Sequence, residues 1–213
     1  MNSETKDQSQ NVILKGIDKI YNAVVDGSVP GTASAAELAR SYMAKYSNPR
    51  DAANALVRWQ NTKAAADGAI TGLGGVVTML ATLPVNVASV LFIQVRMVAA
   101  IAYIGGVRDF RDERLQTMVK CCLLGESLTS VARKAGVEIV QKVALKKLLP
   151  MITGKMLTKI NQAVGFRLIT KFGSKGVINI GKGIPFLGAF VGAVFDGVTT
   201  NMVGNAAIET FID

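Results

Sequence analysis

Residues 68–106, GAITGLGGVVTMLATLPVNVASVLFIQVRMVAAIAYIGG, decide how this chain is read. From Gly68 through Val95 the run carries no charge, with Asp67 on one side and Arg96 on the other. Gly68, Gly72, Gly74 and Gly75 crowd its first third, and a single proline, Pro84, divides it. Proline lacks a backbone donor and clashes with the preceding turn, so it ends one helix or opens the next. Two helices are therefore expected, over about 68–82 and 84–104, with Pro84 opening the second.

Two environments suit such a pair. A bilayer core takes about 20 apolar residues of helix, and the second helix has that length. Against this, Arg96 falls past its middle beside Gln94, and a lone charge in lipid is costly unless it snorkels or pairs. The other environment is the interior of a helical bundle. Small residues at Gly68 and Gly72 allow close helix approach in both settings, and the pattern leaves the two open.

The rest of the chain reads as helices. Residues 1–9 are polar and are expected to be a flexible tail, leaving 10–213 as one helical domain. Val12, Ile13, Ile17, Ile20, Tyr21 and Val24 recur at helical spacing up to Asp26-Gly27. Ser34 with Glu37 forms a capping-box pattern for a short helix ending near Tyr46. Asn48-Pro49 opens a third helix that carries Leu56, Val57 and Trp59. Beyond the apolar pair, a helix is expected from about Asp112 to Leu124, with Gly125 as an interruption before it continues to Arg133 and closes at Gly136. Helices are then expected over Val137–Leu149, about 155–172, and from Pro185 nearly to the end. No hairpin or alternating run is present. The expected fold is all-α: a single bundle-like domain of about eight to nine helices, with glycine-rich apolar helices at its centre.

Composition narrows the chemistry. With 213 residues, half of them hydrophobic and 18% charged, the chain is long and apolar enough for a substantial core. It contains no histidine, which excludes Ser-His-Asp, Cys-His and HExxH arrangements. Its two cysteines, Cys121 and Cys122, are adjacent, so they are no disulfide framework and supply too few ligands for a zinc site. They read as small buried hydrophobes. No cofactor, metal or catalytic residue is expected, and the chain is not read as an enzyme. The polar opening MNSETKDQSQ does not resemble a cleaved signal peptide.

Charge is uneven. Residues 133–182 hold eleven basic residues and one acid, Glu138, whereas residues from 183 onward hold three acids and no base. Such a block is either a solvated helical face or an attraction for an anionic surface. Lys142, Lys146, Lys147, Arg167, Lys171, Lys175 and Lys182 are the candidates for a lipid- or anion-binding face. Nucleic acid is disfavoured because aromatic side chains for base stacking are scarce there. Gly176 to Lys182 has the GxxxxGK spacing of a phosphate loop, but Gly183 stands where Ser or Thr is required and Pro185 follows; a tight turn is the better reading. In the apolar helices, Asp196 or Asp67 is expected to pair with Arg96 or Arg167, because a buried charge needs a partner.

Several stretches together resemble the EcsC protein family: Thr71–Gly75, Leu83-Pro84, Gln94–Gly106, Cys122–Gly125, Ile160–Gly173, Lys175–Lys182, Ile184-Pro185, Gly188–Gly192 and Phe195-Asp196. The resemblance spans about residues 37–212. Its pieces are of low complexity, but their order and spacing are distinctive. It implies a bacterial helical protein of a family often predicted to associate with membranes, named after a protein encoded beside a secretion-linked ABC transporter and without an established biochemical activity. It carries no catalytic motif.

The resulting expectation is a membrane-associated helical protein that meets anionic lipid through a basic face and apolar helices. It is placed in the cytoplasm, peripheral or integral at the inner membrane, with a membrane protein or transporter as a possible partner. The alternative is a soluble all-α interaction module that buries the same helices in its own core. Packing of helix 84–104 against helix 185–208 and the amphipathic helices separates the two. Oligomeric state is left open.

Overall fold

The computed structural model describes residues 3–65, 85–139, 148–172 and 188–212. Among them lie eight α-helices and no strand: α1 Ser3–Asp26, α2 Ala35–Met43, α3 Pro49–Ala65, α4 Val85–Ile104, α5 Glu113–Leu123, α6 Leu128–Lys134, α7 Gly154–Phe172 and α8 Gly188–Phe211. A short 3-10 turn, Leu149–Met151, precedes α7. The all-α reading holds.

Local chemistry sets most helix ends. The Ser34 hydroxyl accepts from the Glu37 amide while Glu37 accepts from the Ser34 amide, the reciprocal arrangement of a capping box. Asn48 Oδ1 accepts from the Arg50 amide at 2.7 Å, with Pro49 in the first helical position. Asp112 caps α5 through the Arg114 amide. Between α5 and α6, Gly125 adopts φ +79°, a left-handed conformation that glycine reaches without steric cost.

Two expectations need correction. Residues 3–9 belong to α1 rather than to a frayed tail. No glycine or proline interrupts them. The helix expected over 137–149 does not include Val137–Ile139, which are not helical. Gly136 at φ +67° has already ended the preceding run there. Residues 140–147, the apolar helix expected over 68–82 and the glycine segment 173–183 lie outside the described residues.

Helix α4 runs through the centre, packed on by α1, α2, α3, α5 and α8, while α7 closes the other side against α1, α5 and α6. The window Val87–Ile104 is long and apolar enough to cross a membrane, yet 83% of it is buried inside the fold. Leu91, Val95, Met97, Val98, Ile101 and Ala102 are fully enclosed. Helices α3 and α8 form the most extensive pair. Gly204 makes their approach possible, since a Cβ there would meet Val57 Cγ2 at 2.6 Å. Gly105 plays a similar part at the end of α4: a Cβ would meet the Phe211 carbonyl oxygen at 2.0 Å.

Candidate functional site

Helices α2 and α3 form a hairpin joined by Ala44–Asn48, and an open groove of about 600 Å3 lies between them. Tyr42, Tyr46 and Trp59 supply its aromatic walls, Lys45 and Arg58 its charges, and Ser41 and Thr62 its hydroxyls. Helical geometry explains the convergence. Leu38, Ser41 and Tyr42 share one side of α2 at three- and four-residue spacing, with Lys45 just past its end, and Ala55, Arg58, Trp59 and Thr62 line one side of α3 in the same way. The opposite faces, with Ala35 and Ala39 on α2 and Ala52, Ala53 and Leu56 on α3, turn into the core.

This side of the molecule exposes large apolar surface beside positive charge. Trp59 is 52% exposed, Met43 41% and Tyr46 39%. Residues 40–62 contain Arg40, Lys45, Arg50 and Arg58 against one acid, Asp51. The Lys45 ammonium sits 5.9 Å from the centre of the Tyr42 ring. Burial, and secondarily the neighbouring Tyr46, raise the Tyr42 phenol above its usual range, while Arg96 acts the other way. Tyr42 is therefore a neutral hydroxyl at physiological pH, able to donate and to accept.

Behind Tyr42 lies Arg96, 9% exposed on α4. Its guanidinium stands 5.1 Å from the centre of the Phe92 ring one turn earlier. Its Nε is buried without a hydrogen-bond partner, and among the described residues no carboxylate forms an ion pair with it. Burial lowers its pKa, partly countered by Tyr42. The carboxylates expected to neutralise it are Asp67, which lies outside the described residues, and Asp196, which falls within α8 where side chains are not described.

The basic residues singled out from sequence divide into two groups. Lys142, Lys146, Lys147, Lys175 and Lys182 lie outside the described residues. Arg167 and Lys171, expected on an outward binding face, are committed internally. Arg167 Nη2 donates to Glu126 Oε1, whose other oxygen accepts from Lys134 Nζ at 2.7 Å and Ser130 Oγ at 3.1 Å. Lys171 Nζ donates to the Leu123 carbonyl at 2.6 Å, at the negative end of α5. Burial drives Glu126 upward, but its hydrogen bonds from Arg167, Lys134 and Ser130 outweigh that and hold it at about 2. Burial, then the Arg167 charge, lower Lys171 to about 8. Arg167 does join an acid, Glu126, whereas Asp67 and the Asp196 side chain lie outside what is described. The Arg167–Glu126 pair follows from proximity, since Glu126 sits in the α5–α6 turn against which α7 packs.

Cys121 and Cys122 are fully buried. Burial raises the Cys121 thiol well above its usual range and pushes Cys122 up to about 12. No group of three or more metal-ligating side chains converges among the described residues.

The chain belongs to the EcsC protein family, whose sequence model matches residues 1–212. The match extends through α1 as well as the stretches that carry the resemblance. No curated protein and no solved structure matches the chain.

Proposed function

We propose that this EcsC-family chain is a non-enzymatic helical module that docks peripherally on an anionic membrane surface through the α2–α3 face. The observation that carries this reading is the clustering of exposed Trp59, Tyr46 and Met43 with Lys45 and Arg58 on one hairpin. Tryptophan and tyrosine combine an apolar body with a polar edge and favour the headgroup level, where lysine and arginine meet anionic lipid. Burial of α4 supports a peripheral mode over a spanning one, because its apolar surface already has protein neighbours. The internal roles of Arg167 and Lys171 move the proposed basic contact away from α7 and onto α2–α3.

Co-sedimentation of the purified protein with vesicles tests this. Binding to vesicles containing anionic lipid that is lost as salt rises agrees with a peripheral electrostatic contact, since screening at 1 M salt shortens the Debye length to about 3 Å. Binding that survives salt and alkaline washing would place α4 and its neighbours inside the bilayer instead. Absence of binding under every condition would leave the closed bundle as a docking module for another protein.

A further inference from the structure

We propose that the α2–α3 groove is a seat for the phosphate of an anionic phospholipid, with Lys45 and Arg58 at its mouth and Arg96 as the interior cation behind Tyr42. This rests on the membrane-surface reading above and names the chemistry that the face recognises.

Removing a guanidinium from water without a counter-charge is costly, and a buried cation is ordinarily paired with an acid or a set of acceptors. Among the described residues, Arg96 is nine-tenths buried, has a donor with no acceptor, and is approached by the Phe92 ring and the electrostatic influence of Tyr42. Tyr42 is itself a wall of the groove. A positive potential thus lies behind an opening that already presents two cations, and no acidic side chain among the described residues lines it. Glu37, the nearest acid on α2, is turned back onto Ser34 by the capping box. A phosphate entering the groove meets Lys45 and Arg58 directly and the field of Arg96 through the Tyr42 hydroxyl. Arginine and lysine together are the usual recognition set for such an oxyanion.

The walls argue for a lipid source. Two tyrosines and a tryptophan around a cavity of about 600 Å3 offer more apolar surface than a free phosphate uses. A phosphate attached to a glycerol backbone and the first acyl carbons fills both the charged mouth and the aromatic sides.

The test compares wild type with two charge-matched double variants on phosphatidylcholine vesicles with and without one-fifth phosphatidic acid. Lys45→Gln with Arg58→Gln removes the groove cations; both are exposed, so folding is retained. Lys155→Gln with Lys159→Gln removes two exposed charges on α7. Affinity for the acidic vesicles is expected to fall at least about tenfold in the groove variant and to change less than about twofold in the α7 variant. Arg96→Gln, if it keeps the native helical content, is expected to lose affinity without losing any exposed charge. Equal weakening of the two double variants would overturn the groove while leaving membrane association intact. Saturable binding of inorganic phosphate, read from Trp59 emission, with no vesicle binding would overturn the lipid source. No response to either probe would overturn both the seat and the membrane reading.

Discussion

Arg167 on α7 donates to the same Glu126 carboxylate that receives Lys134 from the end of α6. One acid therefore ties the α5–α6 turn, α6 and α7 together. Its side chain is only 17% exposed, and breaking the set deprives the part-buried donors Arg167 and Ser130 of their acceptor. Glu126→Gln is expected to destabilise the fold by about 2 kcal/mol in chemical denaturation. A change within experimental error would show that the cluster is held by packing alone.

The same carboxylate predicts an acid limb. Glu126 is held at about 2 in the folded chain, against 4.5 for its ordinary value. The unfolded chain thus binds the proton first as pH falls, and stability rises with pH across this interval. The contribution is complete above about pH 4.5 and is lost as pH falls towards 2. Thermal denaturation across this window is expected to flatten in Glu126→Gln, and an unchanged slope would contradict the assignment.

Lys171 predicts the opposite limb. Its folded value of about 8 lies below the ordinary 10.5, so the unfolded chain retains the proton that the folded chain releases. Stability from this group is therefore lowest below pH 8 and rises between pH 8 and 10.5. Lys171→Met is expected to remove that rise, as read from melting temperatures at pH 7.5 and 10.

Gly204 and Val57 set the closest approach of α3 and α8. Gly204→Ala is expected to cost about 1–3 kcal/mol, because its Cβ would overlap both Val57 methyls. Val57→Ala in the same chain should recover part of the loss, giving a measurable coupling between the two sites. Strict additivity would mean that the helices shift apart freely.

The paired thiols are expected to be silent. Cys121 and Cys122 are enclosed and held in the protonated form by burial, so a thiol reagent at pH 8 should modify them only at the rate of unfolding. Rapid modification of the native chain would contradict their place in the core.

Where structure depends on near neighbours, it was legible in the chain itself. Ser34 with Glu37, Asn48-Pro49, Gly27, Gly125 and Gly136 mark helix ends through contacts a few residues apart, and each ends or starts a helix where expected. The core position of α4 could not be read from its hydropathy, because a lipid-facing helix and a fully buried one have the same composition. The internal bonds of two of the basic residues were hidden for a related reason. Lys171 and Arg167 look solvated by residue type, but their partners, Leu123 and Glu126, lie more than 40 residues away. The groove carried a faint signal in Tyr42, Lys45 and Tyr46 followed by Arg58-Trp59. Only the α2–α3 turn brings those two short runs onto one surface.

Trp59 is the only tryptophan of the chain and lines the groove, so its emission reports directly on contact between this face and lipid. Vesicles containing phosphatidic acid are expected to shift it to the blue, lipids brominated near the headgroup to quench it more than lipids brominated deep in the acyl chain, and high salt to restore the spectrum. Unchanged Trp59 emission on vesicles that carry the protein down in sedimentation would contradict docking through the α2–α3 face.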